Sequence, residues 1–406
     1  MRRRCCRHQA RTALQVGLCA LLCIVMSACA TLPWSATGSS TAVSRTPPFT
    51  ASPTASSSRV TLFPLAPGVP IPNHLVTGSD GNLWFTAFDT IPQRFAGAEP
   101  IHDAIVRMTP QGSFTVFSLP WPGSLPDGIV PGPDGNLWFT EFYGDAVGRI
   151  TPQGASTDYL VPARPDRGLG SLSGSQPHAI VVGPDRNLWF PDGGNNKIAR
   201  ITPLGSLAEY SIPSHPENPI GSFPYGIAAG PDGALWFTEQ TGMRIGRITL
   251  TGHVTEFKLP GVGHTPEDIV VGGDGALWFL ESNESLIGRI TTTGQITEFP
   301  IPYPPCYMPG VSSVSSGDVC NVLSMNRGPD GLIWFSETWR NALGRIDGQG
   351  HITEFPLPPL PAVSSITGHA TTAEPGALTM GPDGALWFTY GDSTLTLGKG
   401  IGRFSI

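Results

Sequence analysis

Gly230-Pro231-Asp232-Gly233-Ala234-Leu235-Trp236-Phe237-Thr238-Glu239 is one of seven versions of a phrase that recurs along the chain, with its tryptophan at Trp84, Trp138, Trp189, Trp236, Trp278, Trp334 and Trp387. Each version leads into a second phrase, (Ile/Val)-Gly-Arg-Ile-Thr-x-x-Gly-x-(Ile/Val)-Thr-Glu-Phe-x-(Leu/Ile)-Pro, clearest at 245–260 and 287–302. The shortest interval, Trp236 to Trp278, is 42 residues. Self-similarity at this period marks a repeat protein, and four short strands per unit make each repeat a propeller blade. Around Trp236, residues 224–229 read as the innermost strand, 234–238 as the second, 244–249 as the third and 254–258 as the fourth. Asp232-Gly233 reads as a hairpin turn, because glycine supplies the positive φ that a tight turn demands. The Trp-Phe pair falls mid-strand, where aromatic bulk fills the gap between neighbouring sheets. A helical reading fails because glycine and proline punctuate the chain every few residues. The expected fold is all-β, a seven-bladed β-propeller of four-stranded blades.

The last copy stops at Gly402-Arg403-Phe404-Ser405-Ile406, one strand short of a blade. The missing strand is found at the other end, where Arg59-Val60-Thr61-Leu62-Phe63-Pro64-Leu65 has the fourth-strand pattern. Residues 59–65 are therefore expected to pair with 400–406 in a shared seventh blade, which removes the edges that an open array would expose.

The segment ahead of the propeller gives an address. Arg2, Arg3, Arg4, Arg7 and Arg11 precede an apolar run over 13–26 that ends in Met26-Ser27-Ala28-Cys29. This pattern is that of a bacterial lipoprotein signal over 1–29, with Cys29 as the acylated residue; an ordinary secretory signal is the alternative. Residues 30–58, rich in Ser, Thr, Ala and Pro, read as a flexible stalk, leaving 59–406 as the propeller. The expected location is extracytoplasmic, lipid-anchored to a bacterial membrane or otherwise secreted, with contact to the membrane only through the anchor. Of seven cysteines, only Cys306 and Cys320 lie in the propeller, and an extracytoplasmic setting favours their pairing. A formal charge of −7 argues against nucleic acid as a partner. The closed ring is expected to be a monomer.

Insertions near 87–104, 163–175, 214–223, 303–321, 359–374 and 391–399 all fall on one face, where loops join the fourth strand of a blade to the first of the next. Elaborated loops on a rigid scaffold are where binding resides. Two rings of equivalent positions line the channel mouth there. The residue after the proline opening each inner strand, with Val322 in the proline's place in blade six, is Asn73, Asp127, His178, Tyr225, Glu267, Leu323 or Gly376. The residue three after each tryptophan is Ala87, Glu141, Asp192, Glu239, Glu281, Glu337 or Tyr390. An arginine in each third strand (Arg107, Arg149, Arg200, Arg247, Arg289, Arg345, Arg403) suggests that most of these acids form cross-strand ion pairs, with one or two diverted to a ligand or metal. His178, in Gln176-Pro177-His178-Ala179-Ile180, sits in the inner ring and is the candidate base, though a histidine there can also serve only to bond neighbouring loops. His264 and Glu267, with Glu281, are candidates for a divalent-metal site.

The two recurring phrases together resemble those of the streptogramin B lyases, also called virginiamycin B lyases, over roughly 59–406. The resemblance implies an elimination that opens a cyclic depsipeptide antibiotic at its ester, with a histidine base and a magnesium ion held by acids. In the family those groups sit in the last two blades, in a Pro-His-Ala-Ile segment and a Glu-Pro-His-Gly-Ile segment whose Trp-Phe motif ends in glutamate. Here the corresponding residues are Val322-Leu323-Ser324-Met325 and Glu374-Pro375-Gly376-Ala377-Leu378, with Tyr390 after the last Trp-Phe. Glu374 is kept; both histidines and the last glutamate are replaced.

Two readings follow. In the first, the propeller binds a small molecule, peptide or glycan in its funnel through Asn73, Asp127, Tyr225, Glu267, Glu374 and Tyr390, without the family's chemistry. In the second, a diverged metal-dependent lyase or ester/lactone hydrolase uses His178 as base, with Glu239 or Glu281 holding a divalent cation such as Mg2+.

Overall fold

The computed structural model describes residues 59–66, 68–88, 103–162, 174–216, 218, 221–261, 263–281, 285–301, 322–358, 374–391 and 399–406. The signal, the stalk, Cys29, Cys306 and Cys320 lie outside them.

Seven antiparallel sheets of four strands form the blades. In chain order they occupy 71–118, 126–160, 181–211, 224–258, 266–300 and 322–356, and the seventh combines 374–404 with the strand Val60–Pro64. Each innermost strand touches the innermost strand of the next blade, and that of blade seven touches that of blade one, so the ring is closed. The closing strand runs antiparallel to Gly400–Phe404, with Val60 opposite Phe404 and Pro64 opposite Gly400.

The recurring phrase does several jobs in each blade. In blade four, Asp232 Oδ1 accepts from the Trp236 indole N–H (3.1 Å), while Gly233 takes φ +76° in the turn. Trp236 is fully buried, stacked on Phe257 at 5.4 Å, and packs into an apolar cluster with Leu277, Phe279 and Ile290 of blade five. The glycine of Ile-Gly-Arg-Ile makes room for the phrase's phenylalanine: a Cβ on Gly246 would meet the Phe237 ring at 2.1 Å.

The third-strand arginines do not pair with the acids that follow Trp-Phe. The register places Arg247 opposite Trp236 and Glu239 opposite Arg244, so Arg247 lies at the other end of the strand from Glu239. Arg247 instead binds Asp232 of the turn (2.6 Å), and its guanidinium lies 6.0 Å from the Trp236 ring. The same turn aspartate takes the arginine in blade five (Asp274 with Arg289, 2.7 Å), blade six (Asp330 with Arg345, 3.2 Å) and blade seven (Asp383 with Arg403, 2.5 Å). These half-exposed pairs belong to the face opposite the elaborated loops.

Candidate functional site

The threonine of Trp-Phe-Thr-Glu fixes the inner ring. In blade four the pairing of first and second strands skips between Pro224 and Ile227, a bulge that frees the N–H of Gly226. Thr238 Oγ1 accepts from that N–H (2.8 Å) and donates to the carbonyl of Glu267 in the next blade (2.6 Å). Thr86 links His74 N–H to the carbonyl of Asp127 in the same way, and Thr140 links Gly128 N–H to the carbonyl of His178. Asp127, His178 and Glu267 are thus each tied through their carbonyls to the threonine of the blade before.

Three successive blades converge on the Asp127 carboxylate. Asn73 Nδ2 donates to Oδ1 (3.0 Å), His74 Nε2 lies 3.2 Å from the same oxygen, and His178 Nδ1 is 2.8 Å from Oδ2. The cluster is graded in depth: the His74 side chain is 43% exposed, that of Asp127 13% and that of His178 2%. A carboxylate beside Nδ1 holds the His178 proton there and leaves Nε2 as an acceptor. Nε2 is buried and has no hydrogen-bond partner among the described residues. The imidazole is walled by Tyr225, with ring centroids 4.1 Å apart, by Phe142 at 4.6 Å and by Phe223 at 5.8 Å.

Burial raises the Asp127 pKa, but the charge of His74 and the hydrogen bonds from both histidines outweigh it and hold the carboxyl below its ordinary range. For His74, burial acts to lower the pKa, and the charge and bond of Asp127, with a smaller contribution from Asp268, raise it above the usual imidazole value. Asp268 is pushed the other way, upward, by burial. Its oxygens accept from the N–H groups of Ile269 and Met325 (2.9 Å each), across the boundary of blades five and six.

Of the residues expected from the sequence, the structure brings Asn73, Asp127, His178 and Tyr225 together. Glu267 is buried in the inner ring, where its carbonyl takes the Thr238 bond. Glu374 and Tyr390 lie on the first and second strands of blade seven, with Tyr390 paired to Pro375. Glu239 and Glu281 belong to different carboxylate clusters: the charge of Glu256 acts on Glu239 in blade four, and Glu281 meets His264 and Glu298 in blade five. Glu267 is not in that metal-ligating group; Glu298 stands in its place. His74 and Asp268 are the residues that sequence reading missed at the centre. Both are polar neighbours of ring positions, His74 after Asn73 and Asp268 after Glu267, and that adjacency was the available signal.

A model of the virginiamycin B lyase family matches residues 51–221 and 171–323. A streptogramin B lyase structure is 31% identical, with a TM-score of 0.66 over 85% of this chain and 97% of that one. The chain belongs to the virginiamycin B lyase family. A catalytically inactive virginiamycin B lyase from Staphylococcus aureus with quinupristin is likewise 31% identical, with a TM-score of 0.66 over 86% of this chain and 99% of that one. The extracellular domain of a hybrid two-component system protein from B. thetaiotaomicron shares the fold alone, at 13% identity and a TM-score of 0.55 over 86% of this chain and 42% of that one. None of the curated proteins matches the sequence.

The family's magnesium can be tested against blade seven. Gly376 has no donor side chain, and Tyr390 is a buried phenol whose pKa burial pushes up to about 12, so it is neutral at physiological pH. A hard dication takes carboxylate, carbonyl and water oxygens, and a neutral buried phenol is a poor substitute for the lyase glutamate. These residues do not fit the ion, and no step is derived through it there.

Proposed function

We propose that this member of the virginiamycin B lyase family is an extracytoplasmic, lipid-anchored propeller that binds a small molecule, peptide or glycan in its central funnel, without the family's elimination chemistry. The observation that carries the reading is the Asp127 cluster, in which side chains from three blades form one polar centre at the channel mouth. Its solvent-facing member, His74, offers a donor to ligand acceptors, and Tyr225 offers a ring against which an apolar or sugar face can pack. The loss of both family histidines and of the last glutamate supports binding over turnover at the family's positions.

A second reading is favoured by the His178–Asp127 pair. A carboxylate-oriented imidazole with a free acceptor nitrogen is the arrangement of a general base, and a diverged lyase or ester/lactone hydrolase would use it so. The burial of Nε2 favours the first reading, since a base must reach the proton it removes.

Thermal-shift screening of the full chain against peptides, oligosaccharides and cyclic depsipeptides tests the proposal. A ligand that binds the funnel should raise the melting temperature of the wild type, and Asp127→Asn should weaken binding by about tenfold or more, the scale of losing a charge-assisted hydrogen-bond centre. Ligands whose binding is unchanged in both Asp127→Asn and His74→Ala would place recognition elsewhere.

A further inference from the structure

Five blades carry a repeated pair of acids near the elaborated face. The last residue of the second strand (Glu141, Asp192, Glu239, Glu281, Glu337) meets an acid in the middle of the fourth strand (Asp158, Glu209, Glu256, Glu298, Glu354). The residue between them, on the third strand, is small: Gly148, Ala199, Gly246, Gly288 or Gly344 lies opposite the fourth-strand acid. Two carboxylates so placed repel each other unless a cation or a shared proton intervenes.

Three blades supply a fixed cation from the chain. Lys197 Nζ is 2.9 Å from Glu209, Arg340 lies 3.6 Å from both Glu337 and Glu354, and the charge of Arg244 acts on Glu239 from the facing strand position. In blade five the position of Lys197 and Arg244 is taken by Leu286, opposite Glu281. The group that reaches this pair is an imidazole, His264.

We propose that His264, Glu281 and Glu298 form a binding site for a first-row divalent transition ion, with zinc as the expected occupant. Nδ1 of His264 and one oxygen of each glutamate lie within 4.8 Å of one another, and Nδ1 is 3.6 Å from Glu298 Oε1. Ligands on a tetrahedral zinc with bonds of about 2.0–2.2 Å stand about 3.3–3.6 Å apart, so small side-chain rotations bring the three into a coordination sphere. Glu298 Oε1 is a buried oxygen with no hydrogen-bond partner among the described residues. Glu281 is fully buried and hydrogen-bonds His264 Nδ1. Binding would replace the proton in that bond with the metal, and two carboxylates with a neutral imidazole would balance the ion's charge.

A nitrogen among the donors selects zinc or its neighbours over magnesium and calcium, which prefer all-oxygen sites. The ion would tie the segment before blade five to that blade's second and fourth strands. Gly261 suits this arrangement, since a Cβ there would meet the imidazole at 1.8 Å. The inference is independent of the funnel reading, because none of the three ligands belongs to the Asp127 cluster.

The test uses the full chain without a histidine tag, stripped with a chelator and titrated with zinc chloride by calorimetry, with cobalt absorption as a second readout. One equivalent of zinc should bind and raise the melting temperature. His264→Ala and the conservative, partly exposed Glu298→Gln should each weaken binding at least tenfold, and Glu337→Gln in blade six should leave it unchanged. No heat with the wild type, undiminished binding in both blade-five variants, or magnesium binding as tight as zinc would overturn the proposal.

Discussion

Deleting residues 1–66 should lower the melting temperature by more than about 10 °C, or leave the chain insoluble, whereas deleting only 1–58 should change it little. The deletion removes the strand Val60–Pro64, all five of whose residues pair with Gly400–Phe404. Two further backbone bonds frame that ladder, Leu65 N–H to Lys399 O (3.0 Å) and Ser405 N–H to Arg59 O (2.8 Å). Phe63 stacks on Trp387 at 5.3 Å and shields the buried indole of blade seven. A core aromatic is worth about 3–5 kcal/mol, and the half-buried Phe63 is lost here together with the whole five-residue ladder. The exposed edge would also offer an unpaired ladder to a second chain. Differential scanning calorimetry of the two truncations makes the comparison, and equal melting temperatures would mean that the ring closes without this strand.

Stability should fall as the pH is raised from about 5 to about 8. Glu141, Glu239 and Glu337 are each pushed up to about 8, chiefly by burial; Asp158, Glu256 and Glu354, respectively, add like-charge repulsion. Below an unfolded carboxyl pKa of about 4.5 both states hold the proton and these groups contribute no slope. Between that value and about 8 the unfolded chain is ionised while the folded one keeps its protons, so stability is lost with rising pH. The loss is at most about 1.4 kcal/mol per pH unit for each carboxyl. Raised His74 acts in the same direction, its contribution vanishing as pH rises through its folded pKa. Depressed Asp127 acts oppositely, but only on acidification, below the ordinary aspartate range. Replacing Glu141, Glu239 and Glu337 together with glutamine should flatten the decline. A wild-type melting temperature that is level or rising between pH 5 and 8 would contradict the account.

The blades were legible because the features that build them are local. Asp232-Gly233 is a turn by its own backbone preference, and Trp236 is core by its size and its place in a short strand. Closure was legible as well, since Arg59–Leu65 carries a fourth-strand pattern with no blade of its own. The ion pairs were less legible because they depend on register. Arg247 and Glu239 lie on adjacent strands, yet pairing sets Arg247 beside Trp236 and within reach of Asp232. The threonine bridge was hidden for a similar reason: Thr238 reads as an ordinary β-former until the bulge at Tyr225-Gly226 exposes an N–H for it to accept. At the funnel, residue type and ring position singled out Asn73, Asp127, His178 and Tyr225, and the structure places these four side chains together. His74 was missed because a bulge places two consecutive residues of blade one, Asn73 and His74, on the same carboxylate, against the alternation expected of a strand.

On the proposed reading, this member of the virginiamycin B lyase family keeps the propeller and binds a ligand at a funnel centred on Asp127, without the family's reaction. Incubating the full chain with a streptogramin B antibiotic and magnesium, beside a functional lyase, and following the mixture by chromatography and mass spectrometry tests it most directly. Intact antibiotic is expected where the control lyase consumes it. Ring-opened product would contradict it, and loss of that product in His178→Ala would locate the chemistry in blade three.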